Sequence, residues 1–124
     1  MPNVEIHRGD IVLVDLSGAV GGEQQNDPKI NARPCVVIQN DGGNRVSPLT
    51  VVAAIADARQ HKGYPQQVLL TGVERGPLDK DSVALLGHLR TIDRDSRITK
   101  RLGALPPEAM KKIDDAIKSS LGLS

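Results

Sequence analysis

Short apolar runs separated by turn residues constrain the fold of this chain more than any other feature of its sequence. The runs are DIVLVDL at 10–16, the apolar part of ARPCVVIQND at 32–41, LTVVAAIA at 49–56, QQVLLT at 66–71 and SVALLGHLRTID at 82–93. Most are too short for a helix and rich in Val, Ile or Leu, which is typical of β-strands. Gly, Pro, Asn and Asp between them mark turns. Closely spaced strands favour a small barrel over a parallel sheet, with Gly87 as a potential break in the last strand.

The C-terminal segment PPEAMKKIDDAIKSSLG has a different periodicity. Its apolar residues recur at helical spacing, with Lys and Asp on the opposite face: Met110, Ile113, Ile117 and Leu121. Pro107 and Glu108 suit the first turn of a helix, and Gly122 suits its C-cap. We therefore predict a β-rich α+β fold, a small barrel with a C-terminal amphipathic helix, formed by a single domain over residues 1–124.

Charge and composition exclude several classes of function. With 124 residues and a formal net charge of +1, the chain has no overall field for nucleic acid or membrane, so an anion must be bound by a local cluster of Lys and Arg. No apolar run is long enough to span a bilayer, and the first residues lack the pattern of a secretory signal. The single cysteine, Cys35, lies in an apolar run and fits a core residue of a protein in the reducing cytoplasm. Tyr64 is the only aromatic residue, which argues against binding RNA mainly by stacking.

The segment SGAVGGEQQNDPKINA, between the first two predicted strands, is longer than most loops of a compact domain, and such loops are often functional. It contains Glu23 and leads directly into Arg33, at the mouth of a strand whose backbone is fixed by Pro34. A carboxylate and a guanidinium at such a loop suit a base and a charge stabiliser for an acyl or phosphoryl substrate. A surface ion pair of little energetic consequence explains the same residues, and residue types alone do not decide between the two.

Taken in order, several motifs resemble the MazF/PemK (Kid-like) toxins of bacterial toxin–antitoxin pairs. They are RGDIVLVDL, GGEQ, RPCVVIQND, NRVSPLTVVAAI, KGYP and DSVALLGHLRTIDRDSR. The resemblance runs from about Arg8 to Arg97 and extends into the predicted C-terminal helix. It implies a compact SH3-like barrel of the CcdB/PemK type that works as a homodimer. It also implies a toxin that cuts single-stranded RNA, chiefly mRNA, at specific sequences and without a metal or another cofactor.

The same resemblance implies the reaction and the partners. The ribose 2′-OH attacks the adjacent phosphorus, which leaves a cyclic phosphate and a 5′-OH. The partners are a cognate antitoxin, whose extended tail lies in the RNA groove of the dimer, and operator DNA reached through that antitoxin.

The resemblance assigns roles to individual residues. Arg33, in the family's RP motif, stabilises or protonates during the reaction, and a guanidinium that stays charged and binds two phosphate oxygens suits this role. Glu23 is the candidate base. His88 is a third candidate catalytic group because imidazole acts as acid or base near neutral pH, and it suits equally a group that reads a base edge. With the basic run RTIDRDSRITKR as the source of phosphate contacts, the predicted RNA-binding residues are Gln24, Thr50, Arg90, Arg94 and Arg97. No Cys, His and Asp spacing indicates a metal site.

Several positions depart from the family pattern. Gly22 stands where a polar residue usually precedes the Glu-Gln pair, Ala56 stands where a phosphate-positioning threonine is usual, and Gly87 replaces an acidic residue. The loop from Glu23 to Arg33 is also longer than in the family's short-loop members. These departures leave two alternatives open: a toxin of the same fold that binds gyrase, as the CcdB branch does, and a weakened member that only binds its antitoxin or operator DNA.

Overall fold

The computed structural model describes residues 5–123, which form an antiparallel sheet with a long C-terminal helix. The strands are β1 (Asp10–Val14), β2 (Arg33–Val37), β3 (Leu49–Asp57), β4 (Gln67–Leu70), β5 (Ser82–Asp93) and β6 (Ile98–Ala104), and the helices are α1 (Asp41–Val46), α2 (Arg94–Arg97) and α3 (Pro107–Leu121). Short 3₁₀ turns at Ala58–Gln60 and Gly72–Arg75 flank β4. The order across the sheet is β4-β5-β3-β2-β1-β6. The β-rich α+β fold and the C-terminal helix are confirmed, although β4 and β6 remain at the two edges and the sheet does not close.

The sixth strand was not predicted. Of the residues in ITKRLGA only Ile98 is buried, so the segment lacks the alternation by which a strand is recognised. Its place in the sheet comes from pairing with β1 and from an ion pair between a half-exposed arginine and a buried carboxylate. The guanidinium of Arg101 donates from Nε and Nη2 to the two carboxylate oxygens of Asp10, at 2.8 and 3.1 Å, and Asp10 is only 2% exposed. A bidentate pair of this kind satisfies a carboxylate that would otherwise be costly to bury.

The segment predicted as a turn after β2 forms helix α1. Asn40 caps it, because its side-chain oxygen accepts a hydrogen bond from the backbone N–H of Gly43 at 2.8 Å. This cap and the following turn lead the chain back into β3 next to β2.

Strand β5 is continuous through Gly87 but irregular there. Ala53 of β3 pairs with Leu89, whereas Ile55 pairs with Ala84, so the residues between them on β5 are not in register with β3. Such an irregularity bends a strand and redirects its side chains. Gly87 and His88 lie within it, and both are exposed.

Helix α3 covers one face of the sheet with Ala109, Ile113 and Ala116, which are buried in a cluster with residues of β1 to β5. The predicted helical face is confirmed at Ile113, whereas Leu121 at the end of the predicted stripe is 56% exposed. Gly122 forms the predicted C-cap with a φ of 70°, a left-handed conformation that favours glycine. No helix within residues 5–123 is long and apolar enough to cross a membrane.

A second apolar cluster fills the other side of β1, β2 and β3. It includes Val12, Val14, Cys35, Val37 and Val52. Burial raises the pKa of the Cys35 thiol to about 12, against the opposing effect of the Arg33 and Arg90 guanidiniums. Cys35 is therefore the neutral core residue that its position in the sequence predicts.

Candidate active site

The loop between β1 and β2 begins with a set of hydrogen bonds centred on Asp15. One carboxylate oxygen of Asp15 accepts from the hydroxyl and the backbone N–H of Ser17 and from Nδ2 of Asn26. The Asn26 side-chain oxygen accepts in turn from the backbone N–H of Leu16 at 2.7 Å. The Ser17 and Asn26 hydrogen bonds lower the pKa of Asp15 to about 2 because they favour its ionised form. These hydrogen bonds join the start of the loop, at residues 15–17, to Asn26 in its second half.

Three arginines from other elements hold the same loop by its backbone. Nη1 of Arg97 donates to the carbonyls of Asp15 and Ser17, at 2.9 and 3.0 Å. Nη1 of Arg90 lies 3.4 Å from the Leu16 carbonyl. Further along the loop, Nε of Arg33 donates to the Gln25 carbonyl at 2.9 Å, and its Nη1 lies 3.4 Å from the Ile55 carbonyl. These contacts place the loop over the sheet.

The loop placed in this way and the sheet beneath it enclose a pocket, which we call the loop pocket. Its rim consists of Glu23 and Gln24 from the loop and His88 and Arg90 from β5, and its floor is apolar, formed by Leu16, Cys35, Val52, Ala54 and Leu89. His88 belongs to the irregular part of β5. An apolar floor with a few polar groups at the rim is typical of a small-molecule or nucleobase site. Four of the predicted site residues therefore line one pocket, although their positions in the sequence are far apart.

Glu23 has one oxygen already in use. Its Oε1 accepts from the backbone N–H of Val20 at 2.5 Å, which closes a tight turn within the loop. The Glu23 side chain is exposed, and its second oxygen accepts no hydrogen bond from any residue in the range 5–123. A carboxylate held in this way is oriented and can still accept a proton at the other oxygen.

Arg33 lines a second depression, the Arg33 cleft. On β2 its side chain shares a face with Cys35, which is on the floor of the loop pocket. The cleft is open and lined by Lys29, Arg33, Ala56, Asp57, Arg59 and Lys80, among other residues. The guanidinium of Arg33 is thus accessible from the cleft and adjacent to the loop pocket.

The carboxylate of Asp57 neutralises part of the charge in the Arg33 cleft. It lies 3.0 Å from Nε of Arg59 and 3.2 Å from Nζ of Lys80. The hydrogen bonds from Arg59, and then that from Lys80, hold the pKa of Asp57 well below its usual range. Asp57 therefore stays ionised and keeps these two cations close to its own side chain.

Two predicted RNA-binding residues lie elsewhere. Thr50 is fully buried, and its hydroxyl donates to the side-chain oxygen of Asn44 at 2.6 Å. Arg94 donates to the Asn44 carbonyl, and its Nε lies 3.6 Å from the Asp95 carboxylate. Asn44 also bonds to Gln39. This network fixes α1 against β3 and does not bring either residue to the loop pocket or the Arg33 cleft.

Sequence reasoning missed the residues that shape the loop and the cleft. Asn26 and Lys29 lie in the motif Asn-Asp-Pro-Lys, whose composition indicates a turn but not its neighbours. Lys80 and Arg59 reach the cleft from separate turns. Within residues 5–123, no group of three or more His, Cys, Asp and Glu side chains is placed to hold a metal ion.

A known family and curated proteins resemble this chain over nearly its whole length. The model of the family described as PemK-like, MazF-like toxin of type II toxin-antitoxin system matches residues 7–121. Endoribonuclease EndoA of Bacillus subtilis (strain 168) is 42% identical over 118 residues, which cover 95% of this chain and 96% of that protein. Endoribonuclease MazF of Staphylococcus epidermidis is 42% identical over 119 residues, which cover 96% of this chain and 93% of that protein.

Solved structures show the same fold. The crystal structure of MazF from Deinococcus radiodurans superimposes with a TM-score of 0.78 at 25% sequence identity, over 97% of this chain and 99% of that chain. An endoribonuclease from Mycobacterial species, in complex with its cognate antitoxin, superimposes with a TM-score of 0.76 at 22% identity, over 96% of this chain and 97% of that chain.

Proposed function

Because the chain belongs to the PemK-like, MazF-like toxins of type II toxin–antitoxin systems, we propose that it is a toxin that cuts single-stranded RNA at specific sequences. One observation carries the assignment of the site. The loop brings Glu23 to the rim of an apolar pocket beside His88 and Arg90, and Arg33 lines the adjoining cleft, two residues along β2 from Cys35 of the pocket floor. A base, a cation and a second proton-transfer group are thus gathered around one surface.

The proposed reaction uses these groups in turn. Glu23 takes the proton of a ribose 2′-OH, whose oxygen then attacks the adjacent phosphorus. Arg33 stabilises the extra negative charge on the phosphorane, for which a fixed guanidinium is well suited. The bond from phosphorus to the 5′-oxygen breaks, and that oxygen takes a proton from the imidazolium of His88. The products are a cyclic phosphate and a 5′-OH, and the step is proposed to need no metal.

The loop pocket is proposed to receive a nucleobase of the RNA. Its floor offers an apolar surface for a ring face, while Gln24 and Arg90 at the rim offer groups for base edges or phosphates. Arg97 contributes in a different way, because its guanidinium donates to two loop carbonyls. Thr50 and Arg94 are left out of the proposed RNA site because their polar groups are bound at Asn44.

The partners follow from the family. We propose that a cognate antitoxin neutralises this chain, that the chain acts as a homodimer, and that operator DNA is reached through the antitoxin. A toxin whose substrate is mRNA acts in the cytoplasm, in agreement with the single, buried, unpaired Cys35.

The proposal is tested by incubating the purified protein with a long single-stranded RNA in EDTA. Cleavage at a few defined sites, with cyclic phosphate ends, is expected. Arg33→Ala is expected to lower the rate about 10²–10³-fold, as the loss of one electrostatic stabiliser does elsewhere. Glu23→Gln is expected to lower it about 10²–10⁴-fold, the usual contribution of a general base.

Circular dichroism and thermal unfolding of both variants provide the control for folding. Intact RNA after incubation with the folded wild-type protein would favour the gyrase-binding or silent alternatives. Near-full activity of folded Arg33→Ala would remove Arg33 from the mechanism.

The two roles open to His88 are separated by a pair of variants. His88→Gln keeps a group that reads base edges but cannot donate a proton to the leaving oxygen, whereas His88→Ala loses both. If His88 is the acid, both variants are slow on every RNA and their rates lose the wild-type pH dependence. If it reads a base, His88→Gln is active with an altered cleavage sequence.

A further inference from the structure

The turn at residues 27–32 presents a lysine to the Arg33 cleft. The carbonyl of Asp27 accepts from the N–H groups of Ile30 and Asn31, at 3.2 and 2.8 Å, and the N–H of Asp27 donates to the Ala32 carbonyl at 2.9 Å. The Asp27 side chain accepts from the backbone N–H of Lys29 at 2.9 Å, as in an Asx turn. This hydrogen-bonded turn brings Lys29 to the cleft wall.

The Arg33 cleft is also lined by Lys29, Arg59 and Lys80, and Lys29 differs from the other two. Arg59 and Lys80 are both bound to the Asp57 carboxylate. The ammonium of Lys29 has no hydrogen bond or ion pair with any of the residues that the structure describes, and the side chain is exposed. Of these three cations, Lys29 is thus the one that can meet an external anion without first leaving a carboxylate.

Arg33 leaves donors for an anion on the same side. Its Nε and Nη1 face the Gln25 and Ile55 carbonyls, and a guanidinium has five N–H donors in all. The cleft between Arg33 and Lys29 is open to solvent and has the small side chain of Ala56 among its lining residues, so that a phosphate has room there. Two cations that flank an open space are a typical arrangement for a phosphate of a nucleic acid backbone.

We propose that the Arg33 cleft binds a second phosphate of the RNA, the one next to the phosphate that is cut, with Lys29 as its principal contact and Asp57 as the group that limits its affinity. This rests on the proposed function, because the RNA strand is taken to run from the loop pocket over Arg33 into the cleft. Lys29 belongs to the loop from Glu23 to Arg33, which is longer than in the family's short-loop members.

The test measures the binding of an RNA that cannot be cut. A mixed-sequence single-stranded RNA with 2′-O-methyl groups lacks the attacking hydroxyl, so its affinity is measured by fluorescence anisotropy over a range of salt concentrations. Lys29→Gln is expected to weaken binding several-fold and to reduce the slope of log affinity against log salt by about 0.7, the value for one phosphate contact on a single strand. The matched control is Lys111→Gln on the exposed side of α3, which removes the same charge far along the chain and is expected to leave the slope unchanged.

Asp57→Asn is expected to change RNA affinity in the opposite direction to Lys29→Gln. Asparagine also caps helices, so the cap of the Ala58–Gln60 turn is retained while Arg59 and Lys80 are released from the carboxylate. Tighter RNA binding and a steeper salt slope than wild type are expected.

Equal salt slopes for Lys29→Gln and Lys111→Gln, or weaker binding by Asp57→Asn, would overturn the phosphate site. Because the probe cannot be cut, these results do not depend on catalysis. If the wild-type protein does not cut RNA in the cleavage assay, the proposed function is overturned. If it cuts RNA and the salt slope of Lys29→Gln equals that of the wild type, only the phosphate site is overturned.

Discussion

The α3 side of the sheet and the loop between β1 and β2 are held in place by opposite kinds of contact. Under α3, Ile113 and Ala109 are fully buried in an apolar cluster that includes Ile11, Val36 and Leu86. The loop is held by guanidinium groups and side-chain amides that bond to its backbone, from residues as distant in the sequence as Arg97.

This difference separates stability from function. Apolar packing is not directional, and its energy is spread over many atoms, so it stabilises the sheet without fixing any one side chain at the site. Hydrogen bonds to loop carbonyls are few and directional. They decide where Glu23 and Gln24 lie, and the loss of one contact is expected to move the site while the sheet remains folded.

The largest effect on stability is expected from Ile113→Ala. Removing a fully buried isoleucine side chain leaves a cavity and costs about 2–5 kcal/mol of unfolding free energy. Urea unfolding measures this loss, and RNA cleavage per folded molecule is expected to stay near the wild-type value because α3 does not line the loop pocket.

The control comes from the same predicted helical stripe. Leu121 is 56% exposed, so Leu121→Ala is expected to cost much less. An equal loss of stability in the two variants would mean that Leu121 contributes as much to packing as Ile113 does, and that α3 packs along its whole predicted face.

The sequence was informative where a segment is mostly apolar or where its apolar residues recur at a fixed spacing. β1, β2 and β3 were predicted because each is a short apolar run, which the fold buries on both faces, and α3 was predicted because apolar residues at helical spacing place one of its faces in the core. β6 was missed because its contribution is a backbone edge and one long-range ion pair, Arg101 with Asp10, neither of which has a local signal. α1 was missed because a short helix capped by Asn40 contains two glycines and looks like a turn.

The site was only partly predictable for the same reason. Glu23, His88 and Arg90 were identified as residue types with suitable chemistry, but their gathering around one pocket depends on the loop contacts and the bend in β5. Thr50 and Arg94 were grouped with them because of their sequence neighbours, whereas the fold directs both to Asn44. Polar contacts between distant segments leave no periodic trace in a sequence.

A smaller effect is expected at Arg97, and it sharpens the distinction between holding the loop and binding RNA. Arg97→Ala removes two hydrogen bonds to loop carbonyls, at 2.9 and 3.0 Å. A bond of this charged type is worth about 1.5–3 kcal/mol when buried and less at a half-exposed site, so a loss of about tenfold in cleavage rate is expected. Single-turnover kinetics should show the loss in the rate constant of the cleavage step, with the salt dependence of RNA binding unchanged.

Arg97→Lys distinguishes an arginine that holds the loop from one that binds RNA. Lysine keeps the charge but lacks the planar fork that reaches both carbonyls, so it is expected to be nearly as slow as Arg97→Ala. If Arg97 contacted RNA phosphates directly, lysine would restore most of the activity, and Arg97→Ala would have a shallower salt slope.

The smallest effect is expected from protonation of Asp15. Its pKa is about 2 in the folded loop, below the ordinary value of 3.8, so its hydrogen bonds stabilise the closed loop above the ordinary pKa and lose this effect as the pH falls from about 4 to 2. Asp15 is only half-buried and lies in the loop, and a local opening of the loop is therefore expected rather than unfolding. Hydrogen exchange of the Ser17 amide, which donates to the Asp15 carboxylate, measures it.

Asp15→Asn removes the titrating group while keeping an acceptor for Ser17. Its Ser17 amide is expected to exchange faster than that of the wild type at neutral pH and to show no further loss of protection between pH 4 and 2. The amide of Ile113 in α3 reports on the apolar side of the sheet and should stay protected in both proteins over this range. If the Ser17 and Ile113 amides lose protection together, the loop opens only when the whole sheet unfolds, and the two regions are not independent. If only Ser17 responds, the loop has its own stability, set by polar contacts that acid removes one at a time.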